Sequence, residues 1–167
     1  GPGTGNLTEK IIDKKPFKIY LIEKDNTLLD KLRKKFDYNI KFLNKDILEI
    51  NEQNLSKNTL TVFGNLPYNI STEILIRWII NLGSKFWFDK LILMFQKEVA
   101  QRIISQHNTP YYGRLSIISN WKLDIEKIVD IKPQSFSPRP KVDSSLLIFT
   151  PKTNFNKICS EKSLEKV

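Results

Sequence analysis

Two hydrophobic periods alternate along this chain of 167 residues. Residues 18–23 (KIYLIE) are an apolar, β-branched run and predict a buried strand. Over residues 26–36 the period lengthens. Leu28, Leu29, Leu32 and Phe36 recur every three or four positions and share one helical face, with Asn26 or Thr27 as cap. Residues 40–43 and 60–64 predict two more strands. Residues 71–82 predict a helix with Ser71 as N-cap, a stripe of Ile74, Leu75, Trp78 and Ile79, and a stop at Gly83. A strand at 91–95, helices at 97–105 and 112–122, and strands at 125–131 and 144–149 complete the pattern. Strands alternating with helices predict an α/β, doubly wound, Rossmann-like sheet. The last two strands follow one another without a helix, which predicts an antiparallel C-terminal edge. Residues 1–150 read as one domain. Residues 151–167 are polar and read as a linker opening onto a further segment.

Composition narrows the chemistry. The chain is 40% hydrophobic, enough for a real core, and no apolar run nears the roughly 18 residues of a membrane span. No signal peptide is visible, so the expected setting is cytoplasmic, without a membrane partner. A single cysteine, Cys159, excludes an internal disulfide framework and a cysteine-rich zinc site. A single histidine, His107, disfavours a histidine triad, and no metal site is expected. The 27 Lys+Arg against 18 Asp+Glu give a net charge of +9. That excess suits a polyanionic partner, although a lysine-rich surface also serves solubility alone.

Three segments carry candidate chemistry. The chain opens Gly1-Pro2-Gly3-Thr4-Gly5-Asn6-Leu7-Thr8, a spacing that lets backbone turn sharply and approach a ligand closely. Glu23 ends the next strand about 20 residues on, where an acid can accept from two ribose hydroxyls; taken alone, it reads equally well as a strand-end charge. Such a loop needs a strand before it, so the sequence is expected to be an N-terminally truncated portion that folds poorly and binds cofactor weakly in isolation.

The second segment is Asn65-Leu66-Pro67-Tyr68, between a strand and a helix. It sets an amide, backbone carbonyls and an aromatic ring at a strand's carboxyl end. That is a grip for an exocyclic amine on a flat ring, and it points to methyl transfer onto adenine. The third, Phe136-Ser137-Pro138-Arg139-Pro140-Lys141, is held extended by its prolines. Arg139 and Lys141 can hold phosphates, as can Arg102 and Arg114.

Together with NKDIL around Asp46, FQKEVAQRI and YYGRLSI, these segments recur in family order. The chain resembles the S-adenosylmethionine-dependent ribosomal RNA adenine N6-dimethyltransferases, most closely the small-subunit, kasugamycin-sensitivity branch. The resemblance implies a class I methyltransferase sheet whose first strand is missing here, and S-adenosyl-L-methionine as cofactor. It implies that Gly1, Gly3 and Gly5 border the methionine part of the cofactor, Glu23 binds its ribose and Asp46 accepts from its adenine amine. Asn65 would lie between cofactor and base, with Leu66, Pro67 and Tyr68 completing the catalytic segment. Phe136 would stack on the base opposite Tyr68. The implied partner is small-subunit ribosomal RNA, or the immature small ribosomal subunit, bound by a monomer. The implied product is two adjacent dimethylated adenosines near the RNA 3′ end. The helical domain that follows in the family is expected to be absent from this sequence beyond its first residues. Two alternatives stand beside this reading: the large-subunit branch of macrolide-resistance methylases, and a non-catalytic RNA-binding or assembly factor on the same fold.

Overall fold

The computed structural model describes residues 1–82 and 85–155. The predicted stop at Gly83, the lone Cys159 and most of the predicted linker lie outside the described residues. The chain groups into two compact units, Gly1–Glu52 and Gln53–Val167.

The first unit holds α1 (Asn6–Ile12), β1 (Ile19–Glu23), α2 (Asn26–Lys35) and β2 (Ile40–Asn44). The two strands are parallel, and Glu23 stands opposite Asn44 at their carboxyl ends. Ile19, Leu21, Leu29 and Leu32 are buried, so the helical stripe read from the sequence faces the core. The cap of α2 is neither Asn26 nor Thr27. Asp25 precedes both, and its carboxylate accepts from the backbone N–H groups of Thr27 (2.8 Å) and Leu28 (3.1 Å). An ionised oxygen at a helix start satisfies orphan donors and meets the positive end of the dipole. Helix α1 has no counterpart among the elements predicted from the hydrophobic pattern.

The second unit contains β3 (Leu60–Asn65), α3 (Ser71–Ile80), β4 (Phe88–Gln96), α4 (Lys97–Ile104), α5 (Arg114–Lys122), β5 (Leu123–Ile131) and β6 (Ser144–Pro151). The sheet order is β3-β4-β6-β5. Strands β3 and β4 are parallel, whereas β6 runs antiparallel to both β4 and β5. The late antiparallel pair is therefore present, with the last strand inside the sheet and β5 at its edge. Ile74, Leu75, Trp78 and Ile79 of α3 are buried, as are Leu91, Leu93 and Phe95 of β4 and Leu147 and Phe149 of β6.

Ser71 is not the cap of α3. Ile70 occupies the boundary, and the Ser71 hydroxyl donates back to the carbonyl of Tyr68 (3.2 Å). At the other end, the fully buried Lys122 side chain donates to the carbonyls of Leu82 (3.0 Å) and Ile79 (3.4 Å). A cation at a helix carboxyl end complements its dipole and its orphan carbonyls. Lys122 also lies 4.0 Å from the Trp121 ring centroid.

Candidate functional site

The second unit gathers the base-handling candidates at one sheet edge. Strands β3, β4 and β5 end there, and β6 begins there, because Ser144 is in register with both Gln96 and Ile131. Ligands of open α/β sheets bind at the carboxyl ends of strands. The segment 65–68 leaves β3 at that edge, and the segment carrying Phe136 bridges β5 to β6 at the same edge.

Gly64 explains why the segment starts where it does. A Cβ there would lie 2.8 Å from Leu93 Cδ2 and 3.0 Å from Leu66 Cδ2, too close for a real contact. The backbone is thus pressed against the core just before Asn65. Leu66 is buried and anchors the turn, while Asn65 and Pro67 are exposed. The Ile70 N–H closes the turn onto the Pro67 carbonyl at 3.1 Å. Among the described residues, the Asn65 side chain makes no hydrogen bond, and no turn or side-chain bond engages the Leu66 carbonyl. Both remain available as acceptors.

Tyr68 is half-buried, and its hydroxyl meets Ser144 Oγ at 2.6 Å. This ties the ring to the first residue of β6. The adjacent Ser145 donates to Asp130 Oδ1 (2.7 Å), and Lys97 Nζ lies 3.0 Å from Asp130 Oδ2. The Ser145 hydroxyl and the Lys97 ammonium hold the Asp130 carboxyl at a pKa of about 2, below its ordinary 3.8. The same pairing raises the pKa of Lys97. The Lys97 backbone N–H donates to the Asp143 carbonyl (2.9 Å), and Lys132 pairs with the Asp143 carboxylate (2.8 Å). These bonds brace both ends of the segment that carries Phe136. Phe136 itself is half-buried, and Arg139 and Lys141 beside it are exposed.

The first unit gathers the remaining candidates. Gly5 adopts φ 86°, and a Cβ on it would lie 2.7 Å from the Phe36 ring and 2.8 Å from Leu32. Both conformation and space therefore demand glycine. Gly3 also has positive φ, 56°, with open space where a side chain would stand. A Cβ on Gly1 would come within 2.9 Å of Glu23 Oε2, so the loop and the acid are neighbours. Glu23 is buried, and its Oε1 accepts from the Asp25 N–H (3.1 Å). Asn44 donates to the backbone carbonyls of Glu23 (3.1 Å) and Lys24 (3.2 Å), which fixes the end of β1. Asp46 uses Oδ1 to accept from the Leu48 N–H (3.0 Å), and its Oδ2 lies 3.5 Å from Lys24 Nζ. Gly1, Gly3, Gly5, Glu23 and Asp46 thus share the first unit, while Asn65, Leu66, Pro67, Tyr68 and Phe136 share the second. Arg102 and Arg114 stand exposed on α4 and α5 of the second unit.

The sequence profile of the family described as ribosomal RNA adenine dimethylase matches residues 1–167. The chain belongs to that family. It is 64% identical over 167 residues to the ribosomal RNA small subunit methyltransferase A of Pelagibacter ubique (strain HTCC1062), covering all of this chain and 64% of that protein. Among solved structures, a dimethyladenosine transferase from Plasmodium falciparum superposes with a TM-score of 0.76 at 27% identity, covering 100% of this chain and 56% of that one. The 23S rRNA methyltransferase ErmE superposes with a TM-score of 0.77 at 23% identity, covering 99% of this chain and 64% of that one, and shares the fold. The chain spans less than two thirds of the length of each of these proteins. Its fold is the Rossmann-like methyltransferase fold of the family.

Within this dimethylase-family chain, sequence reasoning missed the contributions of Ser144, Asp130, Lys97 and Asn44. Each acts by holding another group. The residues it did find carry local signals: glycine spacing, a proline turn, an acid at a strand end. Ser144 and Tyr68 are 76 residues apart, and no local pattern joins them.

Proposed function

We propose that this chain carries the catalytic part of an S-adenosylmethionine-dependent enzyme that dimethylates N6 of two adjacent adenosines near the 3′ end of small-subunit ribosomal RNA. The carrying observation is the segment 65–68. It leaves a strand's carboxyl end with two acceptors unengaged and its tyrosine tethered to Ser144. The 64% identity to a relative named for the small subunit supports that target over the large-subunit alternative.

The cofactor fits the first unit. Glu23 presents one carboxylate oxygen beside a glycine whose missing side chain leaves room for a ligand. A carboxylate suits the vicinal hydroxyls of a ribose, and Gly3 and Gly5 let backbone approach closely. Asp46 would accept from the cofactor's adenine amine. When bound, S-adenosylmethionine supplies an electrophilic methyl group on a sulfonium.

Everything else falls to the chain's own residues. The adenine N6 lone pair is delocalised into the ring and is a weak nucleophile. Asn65 Oδ1 and the Leu66 carbonyl accept the two N6–H groups, favouring positive charge as it develops on nitrogen. Pro67 stiffens the turn, so the carbonyl direction is reproducible. Tyr68 stacks on one face of the base and Phe136 on the other, a clamp suited to a base drawn out of its stack. Orientation supplies most of the acceleration. The N6 proton becomes acidic once the methyl is in place and passes to water, so no strong general base is required. Arg139 and Lys141 hold phosphates next to the clamp. The partner is the immature small subunit, met by a monomeric protein in the cytoplasm.

The test is transfer of labelled methyl groups by the natural full-length protein to immature small subunits and, separately, to free large-subunit RNA. Transfer to the former is expected, at adenine N6. Asn65→Ala is expected to abolish turnover while RNA affinity stays nearly unchanged. Transfer to large-subunit RNA alone, or equal losses of turnover and RNA affinity in the variant, would overturn the reading.

A further inference from the structure

Lys97 holds both ends of the segment that carries Phe136. Its ammonium lies 3.0 Å from Asp130 Oδ2 near the end of β5, and its backbone N–H donates to the Asp143 carbonyl (2.9 Å) just before β6. Asp143 in turn pairs with Lys132 across the segment (2.8 Å). From Lys132 the chain turns at once into Phe136. The Ser135 N–H donates to the Lys132 carbonyl (3.0 Å), and the Phe136 N–H to that of Pro133 (3.2 Å). These bonds fix where Phe136 leaves the sheet.

A bulge in β5 aims Asp130 at this task. Lys127 faces Leu147 and Val129 faces Leu146, so Ile128 is the extra residue. Without it the ladder would bring Asp130 opposite Ser144. With it, Asp130 stands opposite Ser145 and accepts from its hydroxyl (2.7 Å). Neighbouring residues of a strand point to opposite faces. Ser144 is thus left to Tyr68 (2.6 Å), while Ser145 serves Asp130 on the other face. Bulges often re-aim a side chain beside an active site. Both rings of the clamp are thereby tied to consecutive residues of β6, Tyr68 directly and Phe136 through Lys97 and Asp130. Lys127 also lies 3.4 Å from Asp130 Oδ1. The Lys97 and Asp130 side chains are 39% and 28% exposed, and so open an ion pair adds little to stability. What it contributes is placement.

We propose that Lys97 and Asp130 are positioning residues of the aromatic clamp, and that the second methyl transfer to each adenosine depends on them more than the first. The proposal rests on the dimethylating reading of the site. In the first transfer the N6 lone pair forms the bond to the methyl carbon. The carbon–sulfur bond breaks with its electron pair left on sulfur, and one N6 proton passes to water. Before that step N6 offers two N–H donors to two acceptors, Asn65 Oδ1 and the Leu66 carbonyl. After it, N6 carries one N–H and one methyl group, so one acceptor has lost its partner. The second transfer makes and breaks the same kinds of bond and releases the last N6 proton, with half of the grip gone. Orientation then falls to the rings stacked on the base. A misplacement of about 1 Å costs on the order of 100-fold in rate.

The experiment gives immature small subunits and labelled S-adenosylmethionine to the full-length protein. N6-methyladenosine and N6,N6-dimethyladenosine are then counted at equal total methyl incorporation. A smaller folded fraction slows both transfers alike, so it leaves this ratio unmoved. Lys97→Met and Asp130→Ala are each expected to raise the ratio of monomethyl to dimethyl product by about threefold or more, the scale of coupling between close partners. Cofactor affinity should stay level. Asp130→Asn keeps an oxygen for Ser145 without the charge and should fall between Asp130→Ala and wild type. Lys97→Arg keeps the pair and should restore the wild-type ratio. An unshifted ratio in both Lys97→Met and Asp130→Ala overturns the proposal, as does a Lys97→Arg ratio shifted as far as that of Lys97→Met. If wild type methylates the subunits and the ratio is unshifted, only this proposal fails. If wild type transfers no methyl group to adenine N6, the dimethylating reading fails and this proposal with it.

Discussion

The hydroxyl of Tyr68 sits 2.6 Å from the oxygen of Ser144, which is fully buried in the sheet. A ring that stacks on a base must keep its plane between turnovers, and one hydrogen bond at its far end limits the swing. A net protein hydrogen bond contributes about 1 kcal/mol, roughly fivefold in an equilibrium, and up to about 1.5 kcal/mol, roughly tenfold. Ser144→Ala is therefore expected to lower methyl transfer about five- to tenfold, with RNA affinity changing much less. Tyr68→Phe should cost a similar factor, and the double variant no more than either single change, because both remove the same bond. Independent, multiplying losses in that cycle would show that the two residues do not act as a pair. The acceptors themselves depend on crowding behind them. Gly64 has no room for a methyl group between Leu93 and Leu66, so the direction in which Asn65 leaves the strand is set by the core.

At the scale of single elements, hydrophobic period was readable and end chemistry was not. The stripe of α3 (Ile74, Leu75, Trp78, Ile79) and the runs of β1, β4 and β6 lie where the pattern puts them, because burial of those side chains decides the matter. The caps of α2 and α3 depend on where a turn finishes. The Pro67 turn closes on Ile70, which carries Ser71 past the boundary and turns its hydroxyl back toward Tyr68. Asp25 wins over Asn26 because a carboxylate one residue earlier reaches two N–H groups. Helix α1 escaped notice because it spans only seven residues and follows three glycines. The anchor at the carboxyl end of α3 comes from Lys122, about 40 residues away, which no local pattern reveals. Lys122→Met should cost about 1–3 kcal/mol, since the Ile79 and Leu82 carbonyls would lose a buried donor. Denaturant unfolding of the full-length protein measures this, and an unchanged midpoint would remove Lys122 from its anchoring role. Asp130 gives a pH signature. Its folded pKa, about 2, lies below the ordinary 3.8, so its contribution is complete above 3.8 and is lost as pH falls through about 2. Thermal unfolding of wild type and Asp130→Asn should differ most above pH 3.8 and converge toward pH 2.

At the scale of the whole molecule, the two units divide the candidate residues by chemistry. The glycine loop, Glu23 and Asp46 belong to the first, and the candidate amine grip and clamp to the second. Substitutions should separate along that division. Glu23→Gln is expected to weaken S-adenosylmethionine binding more than tenfold while RNA affinity stays level, and Phe136→Ala to do the reverse. Paired titrations of cofactor and RNA on both variants measure the split, and parallel losses would contradict it. The sheet order β3-β4-β6-β5 also imposes a sequence of assembly. Among the described strands, β5 hydrogen-bonds only to β6, which is made after it, so β5 has no berth until β6 threads between it and β4. Such long-range closure is slow, because loop entropy is lost before the contacts are gained. A nascent chain halted between residues 131 and 144 already contains every residue of the amine grip. It has nothing to hold the Tyr68 hydroxyl, and the segment bearing Phe136 is tethered at one end only. Among the described strands, the one that braces the candidate clamp is thus the last to emerge.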